Sequence, residues 1–578
     1  MKRIACLMGL LMIVVSGCTQ QKPTRTSETR PKGEVIPLPV ADTVRPDGLV
    51  PEFEVWPSGP DFERFDDISP RRRIIEVTGG GVGVTDIEQD GWPDLLLTNG
   101  CRLPLDPEDR QTPSRLFRNF RGRGCEDVSK ASGMLQFGFA QGAAVADLNA
   151  DGFEDVYVTG FGPNVLWLNN GDGTYAKAPL PQELLVPEWS SSAAVADLNG
   201  DGNLDLYVVN YLRESDSDPR LCPNPTSPDG YEGCSPALFE GVDDVILLSD
   251  GAGGFLDASK ESGVAGLNGK GLGVVVCDFD HDGHVEIYVA NDGQANFLLV
   301  RELPADTEFA VRNDALVANV AFNDSGHAQA GMGVAFGDYD DNGYSDLFLT
   351  HFYGDSNTLY ANQGQLQFLD QTRAAGLAAP SRRMLGFGTV FIDSSNTGRL
   401  DLFVANGHID DLTWAGQDIP YRMRPQLYRN EGAGEFADVS AWGGDYFRDA
   451  WLGRGVATAD FNRDGREDLA VSNQLAPSVC LLNTTRTAGR SLRLMLSRRE
   501  GIIGVRVEVT ANGATAVREL VGGGSYLSTS ESTIHFGLGS ADSADVVVIW
   551  PNGERDKHHL TVGEWLVPHG ESARPAIR

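Results

Sequence analysis

The chain has 578 residues, of which 81 are acidic and 47 basic, for a formal charge of −34 at neutral pH. Its length exceeds one common domain several-fold, and 41% hydrophobic residues suffice for a packed core, which excludes wholesale disorder. So much negative charge would repel nucleic acid, so no nucleic-acid partner is expected.

At the N-terminus, Lys2 and Arg3 precede an apolar run from Ile4 to Val15 that is too short to span a bilayer. Residues 1–17 read as a cleaved export signal. The ending Val15-Ser16-Gly17-Cys18 resembles the bacterial lipobox. That resemblance implies that Cys18 becomes a lipid-modified N-terminus, anchoring an extracytoplasmic protein to the bacterial envelope on its periplasmic side or at the cell surface. Residues 18–50, rich in Thr, Pro and charge without periodicity, are expected to form a flexible tether.

From there to about residue 489 the chain repeats itself. Seven related loops each follow a strand of small apolar residues: 86–94, 147–155, 197–205, 278–286, 338–346, 393–401 and 460–468. All carry Gly at the sixth position. Runs such as Gly142-Ala143-Ala144-Val145-Ala146 before a loop predict a first strand, and runs such as Val156-Tyr157-Val158 after it predict a second. A third recurs as Val165-Leu166-Trp167-Leu168-Asn169 and Leu359-Tyr360-Ala361-Asn362, a fourth as Phe255-Leu256-Asp257 and Phe368-Leu369-Asp370. Four short strands per repeat predict an all-β, seven-bladed propeller over 51–489. The seventh repeat lacks a fourth strand, and Phe65-Asp66-Asp67-Ile68-Ser69 is expected to supply it, closing the ring and removing exposed edges.

The loops present side-chain oxygens at positions one, three, five and nine around a glycine turn, a hard donor set suited to Ca²⁺. The candidate ligands are Asp86, Glu88, Asp90 and Asp94; Asp147, Asn149, Asp151 and Asp155; Asp197, Asn199, Asp201 and Asp205; Asp278, Asp280, Asp282 and Glu286; Asp338, Asp340, Asn342 and Asp346; and Asp460, Asn462, Asp464 and Asp468. The sixth loop has Ser395 and Thr397 at positions three and five. Asp393 and Asp401 are left as its only carboxylates there, so weak or absent binding is expected. About six calcium sites follow, or seven if loop six also binds.

Loops of this kind resemble the FG-GAP/VCBS calcium-loop propellers related to integrin α subunits. Downstream, Gly522-Gly523-Gly524-Ser525-Tyr526-Leu527-Ser528, His535-Phe536-Gly537-Leu538-Gly539 and Trp550-Pro551-Asn552-Gly553 resemble an ASPIC/UnbV domain, here 490–570, with a tail at 571–578. Together they resemble the bacterial cartilage acidic protein-like family. Independently of that resemblance, alternation in Val505-Arg506-Val507-Glu508-Val509 and the run Val546-Val547-Val548-Ile549 predict a small β-rich domain.

In an up-and-down repeat, calcium loops share one face and the connections from second to third strand share the other. The long connections 100–113, 211–244 and 407–426 therefore belong on the face away from calcium, the expected surface for an extracellular protein or glycan, with Trp414 and Tyr421 as candidate contacts. His351 and His408 fall on that face and read as structural histidines rather than bases, and His281, at position four of loop four, is expected to point outward. Cys222 and Cys234 bracket the longest insertion and are expected to form a disulfide, while Cys277 and Cys480 are expected to be buried thiols. The expected function is a calcium-stabilised adhesion or binding module, with a polysaccharide-acting enzyme on the same scaffold as the alternative.

Overall fold

The computed structural model describes residues 48–181, 184–186, 188–302, 309–486, 488–497 and 501–576; the expected signal, Cys18 and most of the tether lie outside them. The chain is all-β. Among the described residues, its first part folds as seven antiparallel units of four strands, six of them separate open sheets and that of unit four extended by a fifth, two-residue strand. Unit one comprises Val82–Thr85, Asp94–Leu97, Arg115–Asn119 and Cys125–Asp127; unit two Phe139–Ala146, Asp155–Phe161, Val165–Asn169 and Tyr175–Lys177. Unit three comprises Ser190–Ala196, Asp205–Asn210, Val245–Ser249 and Phe255–Asp257; unit four Gly271–Cys277, Glu286–Asn291, Phe297–Arg301 and Val311–Asn313. Unit five comprises Val334–Gly337, Asp346–Leu349, Thr358–Asn362 and Phe368–Asp370, and unit six Gly386–Ile392, Asp401–Asn406, Gln426–Gly432 and Glu435–Asp438. Unit seven has Gly453–Ala459, Asp468–Asn473 and Val479–Asn483.

Unit seven does take its fourth strand from the N-terminal side, but not from 65–69. Phe53–Val55 pairs antiparallel with Val479–Asn483, Phe53 opposite Asn483 and Val55 opposite Leu481. The expected stretch forms no strand because Arg64 and Asp66 are drawn into a buried ion pair of 2.5 Å, and Arg64 also donates to Ala140 O. Phe53 and Trp56, in contrast, are buried apolar side chains, Phe53 in the unit-seven core and Trp56 in the cluster shared with unit one.

The small residues of the first strands allow close lateral packing. These strands lie side by side in chain order, and that of unit seven lies against that of unit one. A repeated side-chain bond ties neighbours together. Asn119, Asn169, Asn362, Asn430 and Asn483 occupy one register near the end of the third strand. Each gives its backbone N–H to the position-nine carboxylate of its own loop at 2.7–2.8 Å. Each Nδ2 then donates to the position-two carbonyl of the preceding unit's loop: Asn169 to Ile87, Asn362 to Phe279, Asn430 to Tyr339 and Asn483 to Ser394. Asn119 of unit one makes the same bond to Phe461 of unit seven, at 2.9 Å. Asn119→Ala strands the buried Phe461 and Pro93 carbonyls, and a loss of about 2–4 kcal/mol is expected. Denaturant unfolding measures it, and an unchanged midpoint would contradict the role.

The C-terminal part is a two-sheet sandwich. One sheet orders Thr533–Gly539, Arg490–Ser497, Gly563–Pro568 and Arg574–Pro575; the other Ala514–Glu519, Arg506–Ala511, Ser543–Ile549 and Arg555–Thr561. Alternation along Arg506–Ala511 turns Val507 and Val509 inward against Leu494, Phe536, Val548 and Trp550. Between its sheets the domain sends residues 522–531 across the first strands of the repeats. Gly522 and Gly523 pair with Val276 and Val275 of unit four, Ser525 bridges Val334 of unit five, and Thr529 bonds the backbone of Val82 and Val84 in unit one. Tyr526, fully buried, gives its hydroxyl to Thr78 O at 3.1 Å and sets its ring edge-on to Phe387 of unit six.

Candidate metal centre

Each loop starts with the aspartate directly after its first strand, and the glycine at position six takes a positive φ, +91° at both Gly283 and Gly343, that other residues resist. The turn is held by the position-one carboxylate: Asp338 Oδ1 accepts from Asn342 N and Oδ2 from Gly343 N, both at 3.0 Å. The position-nine group closes it, Asp346 accepting from Tyr339 N and Asn362 N. Position nine is therefore a structural clamp whether or not an ion is bound.

Loops four and five gather their carboxylates most tightly. Oxygens of Asp278, Asp280 and Glu286, and of Asp338, Asp340 and Asp346, lie within 4.8 Å of one another in each loop. Asp280 Oδ1 is buried without a hydrogen-bond partner among the described residues. Burial pushes Glu286 up to about 9, with Asp280, Asp278 and Asp282 adding to it, and Asp338 up to about 6. Converging carboxylates with a spare buried oxygen fit a hard divalent cation, which would supply the charge that these sites lack.

The other loops differ in what already touches their ligands. In loop one, Arg118 forms an ion pair with Glu88 and lies 3.8 Å from Asp90. In loops two, three and seven the position-three amide donates to the position-five carboxylate at 3.0 Å: Asn149 to Asp151, Asn199 to Asp201 and Asn462 to Asp464. Burial raises Asp86, Asp155 and Asp205 to about 7. In loop six, Asp393 accepts from Thr397 N, Gly398 N and Gly537 N, and Asp401 from Ser394 and Asn430.

The C-terminal domain touches this same set of loops, which the sequence did not reveal. Ser532 bonds Glu154 of loop two at 2.7 Å, His535 bonds Asn396 and Arg518 bonds Gly398 O in loop six, and Arg493 pairs with Asp460 in loop seven. Glu519 reaches three groups around loops four and five: Cys277 Sγ at 2.8 Å, Ser345 Oγ at 3.3 Å and His281 Nε2 at 3.4 Å. His281, expected to point freely outward, instead faces Glu519 and stacks on Tyr344, because the domain lies over it. Three glycines and a Gly-Leu-Gly stretch in the domain signal close backbone approach, yet nothing in them names the approached surface.

On the insertions, Cys222 and Cys234 form the expected disulfide, and Cys277 and Cys480 are buried free thiols. His351 Nε2 lies 3.2 Å from Thr358 Oγ1 and His408 Nδ1 bonds the backbone of Asp410; burial pushes both imidazoles down to about 4. Neutral and enclosed, each serves its own loop. Trp414 is half-buried, its Nε1 without a hydrogen-bond partner among the described residues, while the Tyr421 carbonyl accepts from His408 N.

Part of this all-β chain matches the description "FG-GAP-like repeat", over residues 147–208 and 406–471, and "ASPIC and UnbV" matches residues 496–565. The chain is similar to cartilage acidic protein 1, 26% identical to the human protein over 339 residues, 57% of this chain and 48% of the relative. The mouse protein is 24% identical over 53% of this chain and 54% of its own length, so the chain spans about half the length of the curated relatives it matches. Among solved structures it is similar to an Agrocybe aegerita lectin that recognises non-reducing terminal N-acetylglucosamine, with a TM-score of 0.36, 13% identity, and 71% of this chain and 92% of that one covered. A biofilm matrix protein of V. cholerae gives a TM-score of 0.31 at 10% identity, with 89% and 76% covered.

Proposed function

We propose that the chain is an extracytoplasmic binding module: a closed, seven-bladed propeller stabilised by Ca²⁺ and tethered through Cys18 to a bacterial envelope. It recognises a protein or glycan through the face opposite the calcium loops. The observation that carries this reading is the division of surface. Loops two, four, five, six and seven are contacted by the C-terminal domain, which leaves the insertions as the accessible side. Those insertions are knitted into one surface: Arg73 reaches Glu214 and Asp216, Leu105 N donates to Asp216, and Arg72 pairs with both Asp229 and Asp410. The bond from Asn119 to Phe461 and the pairing of Phe53–Val55 with unit seven support ring closure.

Leu238, about half exposed on one insertion, and Trp414 on another are side chains that a ligand could cover. The test is binding to arrayed envelope glycans and immobilised envelope proteins, with the wild type and the double variant Leu238→Asp/Trp414→Ala. A loss of at least tenfold in affinity at unchanged melting temperature is expected. Binding that survives the double variant would contradict this face, and turnover of a glycan by the wild type would contradict a purely binding role.

A further inference from the structure

Loop seven has the same sequence pattern as its neighbours but a different electrostatic setting. Arg493 enters it from the first strand of the C-terminal domain, Arg490–Ser497, with its side chain 5% exposed. Its Nη1 forms an ion pair with Asp460 Oδ2, the same oxygen that accepts from Gly465 N at 2.9 Å. Asp460 Oδ1 accepts from Asp464 N at 3.0 Å. In loop five the equivalent oxygens of Asp338 each hold a backbone bond and, among the described residues, form no ion pair with a guanidinium, so each keeps a lone pair for a cation.

Position five of loop seven meets a guanidinium as well. Asp464 Oδ2 accepts from Asn462 Nδ2 and forms an ion pair with Arg466. Asp468 accepts from Phe461 N and Asn483 N just as Asp346 does from Tyr339 N and Asn362 N in loop five, so the two loops differ at Asp460 and Asp464. Around Arg493 the charges alternate: its Nη2 lies 2.8 Å from both oxygens of Glu531, and Arg463 Nη1 lies 3.0 Å from Glu531 and 2.7 Å from Glu564. A buried guanidinium held by carboxylates on two sides is a fixed monovalent cation, and placing a divalent ion beside the same Asp460 would set like charges against each other in a poorly screened interior.

We propose that Arg493 takes the place of calcium at loop seven, making it a metal-free joint that fastens the C-terminal domain to the repeats. The proposal rests on the calcium reading of the other loops and corrects it at this one. Loop seven thereby acquires a different role, because the pattern that elsewhere would receive an ion from solvent here receives one from the chain.

The experiment counts calcium per chain by equilibrium dialysis in the wild type, Asp338→Asn, Asp460→Asn and Arg493→Met. Asp338→Asn should lose one ion, Asp460→Asn none, and Arg493→Met should gain one. If Arg493→Met fails to fold, anomalous scattering from wild-type crystals grown with Ca²⁺ decides, with peaks expected in loops four and five and none in loop seven. One ion lost in Asp460→Asn, or a peak beside Asp460, overturns the proposal alone. No ion bound by the wild type and no effect of Asp338→Asn overturns the calcium reading, and the proposal with it.

Discussion

Gly81→Ala is expected to expel residues 522–531 from their seat on the first strands. A Cβ on Gly81 would lie 1.6 Å from Leu527 O and 2.5 Å from its carbonyl carbon, backbone atoms that no side-chain rotation can move aside. Nor can the segment shift far, since it is fixed on several sides. Ala143 N donates to Leu527 O, Thr529 N to Val82 O, and Thr529 Oγ1 to Ala143 O. Expulsion exposes Tyr526 and Leu527, both buried, and strands the backbone groups of Val82, Ala143 and Val334 that the segment satisfies. Burial of two large side chains and several hydrogen bonds sums to a loss on the order of 5 kcal/mol or more. Gly233→Ala, whose Cβ would meet nothing within 4 Å, is the control. Thermal unfolding and limited proteolysis within 522–531 measure the effect. A Gly81→Ala chain that melts with the control and resists cleavage would remove the segment from any structural role.

Much of the repeat was legible because each loop is local: nine residues carry the turn, its glycine and its oxygens, and small strands precede it. The asparagine of the third strand was also visible, as in Leu359-Tyr360-Ala361-Asn362, but only as a mark of the strand. Its partner lies 82 residues away for Asn169 and 342 for Asn119, a separation over which no local pattern operates. The misplaced closing strand has a similar origin. Phe65-Asp66-Asp67 copies the Phe-x-Asp signature of true fourth strands, whereas Phe53–Val55 lacks it and is selected by what it packs against, Phe447 at 6.1 Å among others. Metal-loop differences were partly hidden for the same reason. Loops five and seven share Asp at positions one and nine and exchange Asp and Asn between positions three and five, while the arrival of Arg493 at Asp460 from the other domain leaves no trace in the loop's own sequence.

Removing calcium is expected to lower the melting temperature, and the loss should grow with pH. The sign follows from the carboxylates. Burial raises Glu286 to about 9, Asp155 and Asp205 to about 7 and Asp338 to about 6 in the metal-free fold, all above their ordinary values near 4. A group raised on folding binds more protons folded than unfolded. Metal-free stability is therefore highest below pH about 4 to 5 with respect to these groups, and is lost as pH rises through 6, 7 and 9. Asp155 alone, ionised some three units above its ordinary value, corresponds to about 4 kcal/mol. Calcium supplies the opposite charge and reverses the slope: with the ion bound, acid competes for the same oxygens, so stability should fall as pH drops below about 5. At a thousand times its dissociation constant each ion contributes about 4 kcal/mol, so loops four and five together should move the melting temperature by on the order of 10 °C. Scanning calorimetry between pH 5 and 9, in EDTA and in millimolar Ca²⁺, should give two curves that diverge with pH. Parallel curves would mean that these carboxylates take no ion, and coincident curves that calcium has no structural part in the fold.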